Sequence, residues 1–415
     1  MTVPLPRVLV VHGPGAASAF DVLRGSQGVA QVTFVHRSLE SLAPGDRDIV
    51  GALESIDMSA LEIDELAQRS SDLQPRGVVT FSEDLIEVTA ELARRLGLTA
   101  LPRRAVDGLT CKLAQRQALA AGGVAVPRFV PVVTGEDLTA AAAWTGLPAI
   151  LKPLRGSGSR NTYAVDDHDD LVALAGEMEE CGPFDDGGLL LEERLVGDPD
   201  RSELPWGDYV SVESASGDGQ SVHVAVTGRR PLLPPFRERG LTIPAALSDE
   251  ALDAVLVEAG RALAALGVTH GITHTEIKLT ADGPRVIEVN GRLGGYIGEL
   301  VRMQRAGFDL VAEGLRLSLG LAPAVTAHRF DQVVYVSMVS PPLWATRLLG
   351  FEGVEEATRI PGVTRVIATR EPGDTVDWRL GTEQHAATVW GAAPNHVEAA
   401  RSLRQVDSVL RARWA

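Results

Sequence analysis

Cysteine is nearly absent from this 415-residue chain. Cys111 and Cys181 are its only two, and they form no metal-ligand pattern and offer at most one bridge. That usage points to a reducing cytoplasm. Lysine is scarce, there is no basic tail or basic–aromatic interleaving, and the net charge is −16. Nucleic acid and anionic membrane are therefore poor partners. No apolar run is long enough to span a bilayer, and the N-terminus lacks a basic stretch followed by a hydrophobic segment and cleavage site. Two familiar phosphate loops are also missing. Gly13-Pro14-Gly15 follows an apolar run but has Ser18 where a dinucleotide fingerprint needs its third glycine, and Arg155 to Asn161 lacks the Gly-Lys-Ser/Thr of a Walker loop. Apolar residues make up 45% and charged residues 23% of the chain, as expected of a globular protein with room for two to four domains.

The most informative stretch runs from His270 to Tyr296. Two apolar-rich runs, Thr273–Leu279 and Arg285–Val289, flank Asp282-Gly283, a strong hairpin signal. Strand alternation puts His274, Glu276 and Lys278 on one face, and Val286, Glu288 and Asn290 on one face of the partner. Pairing the strands then brings Glu276 and Glu288 together, where they repel unless a cation lies between them. Two carboxylates and an amide carbonyl are hard ligands suited to Mg²⁺, completed by nucleotide phosphates. Arg292 adds a planar charged fork for phosphate or carboxylate. Gly291, Gly294 and Gly295 are expected to let backbone approach a ligand. The plainer alternative is a surface hairpin with solvated acids.

Upstream, strands and helices alternate from Arg7 to Gly97, as in a doubly wound α/β unit. Strands are expected at Arg7–Val11, Gln31–His36, Gly51–Met58 and Gly77–Phe81, with a first helix from about Ala16. Glu83 follows the last strand, where such sheets bind ligands, although a helix start also favours an acid. A helix from Thr110 carries Lys112 and Arg116 on one face. In Leu147–Pro153 a single lysine, Lys152, interrupts an apolar strand, which is costly unless it meets an anion. Gly156-Ser157-Gly158-Ser159 then supplies small residues whose N–H groups can cover polyphosphate. Later elements are an amphipathic helix Ser248–Leu266, a helix Ile297–Leu319, strands at Gln332–Val339, Val363–Thr369 and His385–Gly391, and a last helix Glu398–Arg413.

In this order and spacing, these motifs resemble the ATP-grasp superfamily. The closest likeness is to its carboxylate–amine ligase branch, which contains bacterial L-amino-acid ligases that form dipeptides. The run His274-Thr275-Glu276-Ile277-Lys278 and the segment Phe236-Arg237-Glu238 carry the branch likeness. Two departures stand out: Cys111 replaces an acid usual before Lys112, and Asn290 matches the wider superfamily better than every branch member. The resemblance implies an α/β and α+β multidomain protein: a pre-ATP-grasp domain over 1–108, an ATP-grasp core over 109–326 with a hinge near 188–195, and a small α+β subdomain over 327–415. It implies ATP held by Lys112, Lys152 and Gly156 to Ser159, with adenine at the backbone around Glu192, Glu193 and Leu195. Ribose falls to Asp208 or Asp198, with Asp208 preferred. Two Mg²⁺ ions, or Mn²⁺ in their place, fall to Glu276, Glu288 and Asn290. Arg292 and Glu238 take the catalytic roles, Glu238 facing the substrate amino end, while Glu83 and Tyr296 line the substrate pocket. The implied partners are a small carboxylate and an amine in the cytoplasm; the oligomeric state stays open, a homodimer included. Another ATP-grasp enzyme of primary metabolism, or a regulator that binds nucleotide without catalysis, also stays open.

Overall fold

The computed structural model describes residues 4–181, 187–201, 205–304, 308–324 and 330–415. Its first unit is a parallel sheet in the order β3-β2-β1-β4, from β1 (Arg7–His12), β2 (Gln31–His36), β3 (Ser55–Asp57) and β4 (Gly77–Val79). Val8 to Val11 are fully buried, because helices cover both faces of the sheet. The first helix begins at Ala19, later than expected, because Ser18 and Asp21 form a capping box. The strand expected from Gly51 shortens to Ser55–Asp57, since residues 44–51 are helical, with Pro44 at the helix start. Strand order reverses between β1 and β4, so the crevice at their C-terminal ends is the place for a ligand. Glu83 lies just beyond β4 there.

The chain next forms an antiparallel sheet, β5-β8-β6-β7, from β5 (Phe129–Val132), β6 (Ala149–Pro153), β7 (Tyr163–Val165) and β8 (Leu189–Glu193). An eight-stranded sheet follows. It contains β9 (Tyr209–Gly217), β10 (Gln220–Arg229), β11 (Gly240–Ile243), β12 (Gly271–Thr280), β13 (Gly283–Asn290), β14 (Val333–Val339), β16 (Val363–Ala368) and β17 (Ala387–Ala393). Their order is β13-β12-β9-β10-β11-β14-β17-β16. The C-terminal strands therefore extend the same sheet through the β11–β14 pairing.

Three helix expectations change. The helix expected from Thr110 starts at Lys112, because Cys111 is extended (φ −131°, ψ 116°) and Thr110 ends a preceding helix, Arg103–Thr110. In place of Ile297–Leu319 there are two helices, Ile297–Gln304 and Leu310–Ser318; Asp309 caps the second through the N–H groups of Val311 and Ala312. The last helix is His396–Val409 and gives way to β18 (Arg411–Trp414), which pairs with β15 (Leu348–Glu352). Among the described residues, no helix is long and apolar enough to cross a membrane.

Candidate active site

One cleft of about 1760 Å³ lies between the sheets, and every residue named above for nucleotide, metal, catalysis or substrate lines it, as does Gly295 but neither Gly291 nor Gly294. Asp198 lines it too, so lining alone does not separate it from Asp208. Asp208 is ion-paired to Lys278 at 2.7 Å.

β12 and β13 pair with Glu276 opposite Glu288 and His274 opposite Asn290. After Glu276 the register skips Ile287, so Ile277 faces Val286. This bulge corrects one expectation: Val286 turns into the core rather than sharing the face of Glu288. It also frees the Ile287 carbonyl, which accepts from Arg116 Nη2 at 2.5 Å.

The acids are held differently. Glu276 lies 3.4 Å from His274 Nε2, and His274 Nδ1 lies 2.5 Å from Glu213, a fully buried acid that sequence reasoning missed. Burial would lower His274, but Glu213 and Glu276 outweigh it and raise the imidazole to about 9. Burial would likewise raise Glu276; the His274 hydrogen bond and charge bring it to about 2. Glu288 lies 3.4 Å from Lys112 Nζ. With its amide nitrogen turned inward, Asn290 donates to Glu288 at 2.9 Å and Glu83 at 3.3 Å. In the opposite orientation three oxygens converge, which a bound cation or a shared proton makes favourable. Among the described residues no three His, Cys, Asp or Glu side chains form a closed cage. Two carboxylates and an amide oxygen are nonetheless donors of the kind a hard cation takes.

Gly291 and Gly294 serve packing more than ligand approach. A Cβ on Gly294 would lie 2.6 Å from His274 Nδ1, and one on Gly291 would lie 3.0 Å from Leu109. Only Gly295 of the three has open space around its missing side chain.

Lys152 is 7% exposed, and its Nζ is 2.8 Å from Glu192. Arg116 closes a buried triad, bonding Glu192 through Nε at 2.7 Å and Nη2 at 3.0 Å. Burial would raise Glu192, yet Arg116 and Lys152 hold its carboxyl down to about 2. Burial pushes Lys152 below its ordinary value against the pull of Glu192. The Glu192 side chain is thus committed to the interior. The N–H groups of Glu193 and Arg194 go to the carbonyls of Arg128 and Pro148, leaving Leu195 beyond the strand end. Glu193 pairs with Arg128 at 3.2 Å near the surface.

Across the cleft, Arg292 Nε meets Glu83 at 2.9 Å. Burial raises Glu83 despite Arg292. Glu238 accepts from Arg229 Nε at 2.7 Å and from the Tyr209 hydroxyl at 3.1 Å, so it is a cleft acid rather than a surface one. Arg229 is 2% exposed; it was missed because one arginine ending an apolar strand gives no signal of its own. Tyr296 has φ +62° and its hydroxyl lies 2.6 Å from His385 Nε2. Lys112 Nζ donates to the Gly156 carbonyl at 2.5 Å, tying that lysine to the small-residue loop.

No family model matches the chain. It is 28% identical over 345 residues to an uncharacterized protein of Sinorhizobium fredii, covering 82% of this chain and 68% of that one. It is 26% identical to the L-arginine-specific L-amino acid ligase of Bacillus subtilis, covering 72% of this chain and 70% of the relative. The match to mouse (Mus musculus) carnosine synthase 1 is 27% identical over 65% of this chain but spans only 34% of that relative. Among solved structures, the L-amino acid ligase from Bacillus licheniformis superposes with a TM-score of 0.78 at 21% identity, over the whole of both chains.

Proposed function

We propose that this chain, which has the ATP-grasp fold, is an ATP-dependent carboxylate–amine ligase. It joins an amino acid or amino-acid-like acid to an amine or second amino acid. The observation that carries the reading is Glu276 facing Glu288 across two strands, in a cleft that also gathers Lys112, Lys152 and Arg292. The relatives that are named ligases support the same chemistry.

In this reading a substrate carboxylate oxygen bonds to the γ-phosphorus of ATP and ADP leaves. The lone pair of a free amine then bonds to the acyl carbon of the acylphosphate, and inorganic phosphate leaves carrying the proton that the nitrogen gives up. Lys112 and Lys152 hold the phosphates by charge, and N–H groups of residues 156–159 cover them. Arg292 faces the charge that develops on the acyl group, and Glu238 faces the substrate amino end. Two Mg²⁺ ions at Glu276, Glu288 and Asn290, or Mn²⁺ in their place, would neutralise phosphate charge when bound. Asp208 takes the ribose, Glu193 and Leu195 frame the adenine, and Glu83 sets Arg292. We assign 1–108, 109–326 and 327–415 as the three units. We place the enzyme in the cytoplasm, acting on small molecules, with a homodimer as an assembly to be measured.

ADP and phosphate release over a panel of amino acids and amines tests this. Release that needs both a carboxylate and an amine, with a stoichiometric amide product, is expected. ATP turnover with bicarbonate alone, or none with any pair, would overturn it.

A further inference from the structure

We propose that Gly381 and Thr382 are positioning residues that dock the small-residue loop over the nucleotide phosphates and tie it to the amine-side pocket. The inference rests on the nucleotide reading of that loop. The segment Trp378–Gln384 forms 3₁₀ turns broken at Gly381 (φ +79°, ψ −154°). A Cβ there would lie 2.0 Å from the Gly158 carbonyl oxygen, so only glycine lets the two backbones meet. Thr382 N–H donates to that Gly158 carbonyl at 3.0 Å, and Asn161 N–H donates to the Arg379 carbonyl at 2.9 Å. Two backbone bonds thus pin both sides of the loop tip. The Trp378 ring also packs edge-on against Tyr163 at the start of β7, with centroids 6.0 Å apart.

Thr382 spends its other polar groups on the opposite side. Its Oγ1 accepts from Glu238 N–H at 3.2 Å. Its carbonyl faces His385 Nδ1 at 2.9 Å, which assigns the ring proton to Nδ1 and leaves Nε2 to accept from the Tyr296 hydroxyl. Burial holds His385 below its ordinary value and so favours this neutral form. One residue therefore joins the loop, the backbone of Glu238 and the ring that orients Tyr296. No step of the chemistry passes through it; it acts by where it holds its neighbours.

Trypsin cleavage after Arg155 and Arg160, with and without a nonhydrolysable Mg–ATP analogue, reads loop docking directly. Cleavage follows the population of the open loop. In Gly381→Ala, cleavage is expected to rise roughly tenfold and MgADP affinity to fall similarly, as loss of about one to two hydrogen bonds implies. If that variant does not fold, Trp378→Ala is expected to raise cleavage about threefold through loss of the ring contact. Thr382→Val should raise the half-saturating amine concentration about fivefold with that for ATP unchanged, and Thr382→Ser should restore it. Unaltered cleavage in Gly381→Ala or Trp378→Ala, or a Thr382→Val defect that appears only as lower melting temperature, would overturn the proposal. Failure of the unaltered protein to bind MgADP would instead overturn the nucleotide reading, while the cleavage rates still report docking.

Discussion

Glu192→Gln is expected to destabilise the ligand-free protein by about 3 kcal/mol. Glu192 lies between Arg116 (Nε at 2.7 Å) and Lys152 (Nζ at 2.8 Å), all three buried. The fall of its carboxyl from 4.5 to about 2, at ~1.36 kcal/mol per decade, corresponds to about 3 kcal/mol favouring the charged folded form. Removing one partner of a buried pair, at ~3–5 kcal/mol, gives the same order. Glutamine keeps the shape but leaves two cations side by side, and Arg116 cannot shed its proton. The pH dependence has a definite sign. Because the folded value is depressed, the contribution is full above about 4.5 and disappears as pH falls through about 2. Urea unfolding of both proteins at pH 7 and at points down to pH 2.5 tests this. The gap between them should be widest at neutral pH and should narrow steadily below 4.5. A neutral-pH gap under about 1 kcal/mol, or one that does not change with pH, would refute the buried triad as a source of stability.

Glu276→Gln and Glu288→Gln should each abolish ADP release with the fold intact by circular dichroism, since each keeps shape but loses a hard anionic ligand; near-normal turnover of both at saturating Mg²⁺ would remove the metal assignment. Lys152→Met should weaken ATP binding by calorimetry and slow turnover, its stem contacts being preserved; unchanged affinity with persisting rate would leave Lys152 as only the partner of Glu192. Arg292→Ala should lower the rate for every substrate pair by roughly 10²–10³, as loss of an oxyanion donor does. Tyr296→Ala should instead widen the range of amines accepted, with a modest penalty for the native one; a uniform loss with the ranking unchanged in phosphate release would sink its pocket role.

Local chemistry made much of the site legible before any tertiary structure. Asp282-Gly283 between alternating runs marked the hairpin, but the opposition of Glu276 and Glu288 needed the skipped Ile287, since the register leaving the turn would set Ile287 against Glu276. A lone lysine in the Leu147–Pro153 run announced an anion nearby, since burying an unpaired ammonium is too costly. The tertiary structure decided what that anion is. Glu192 comes from a strand 40 residues away and is shared with Arg116 from a helix before it, a triad that no local pattern encodes. The same holds for Glu213 beneath His274 and for Thr382 against Gly158, whose partners are distant in sequence. The Ile287 bulge likewise turned Val286 inward, because register depends on the neighbouring strand as well as on the residue's own period. The sequence by itself determined which side chains could carry charge to a phosphate. The fold alone determined which of those charges are spent on one another, because pairing depends on distances of a few ångströms between separate elements.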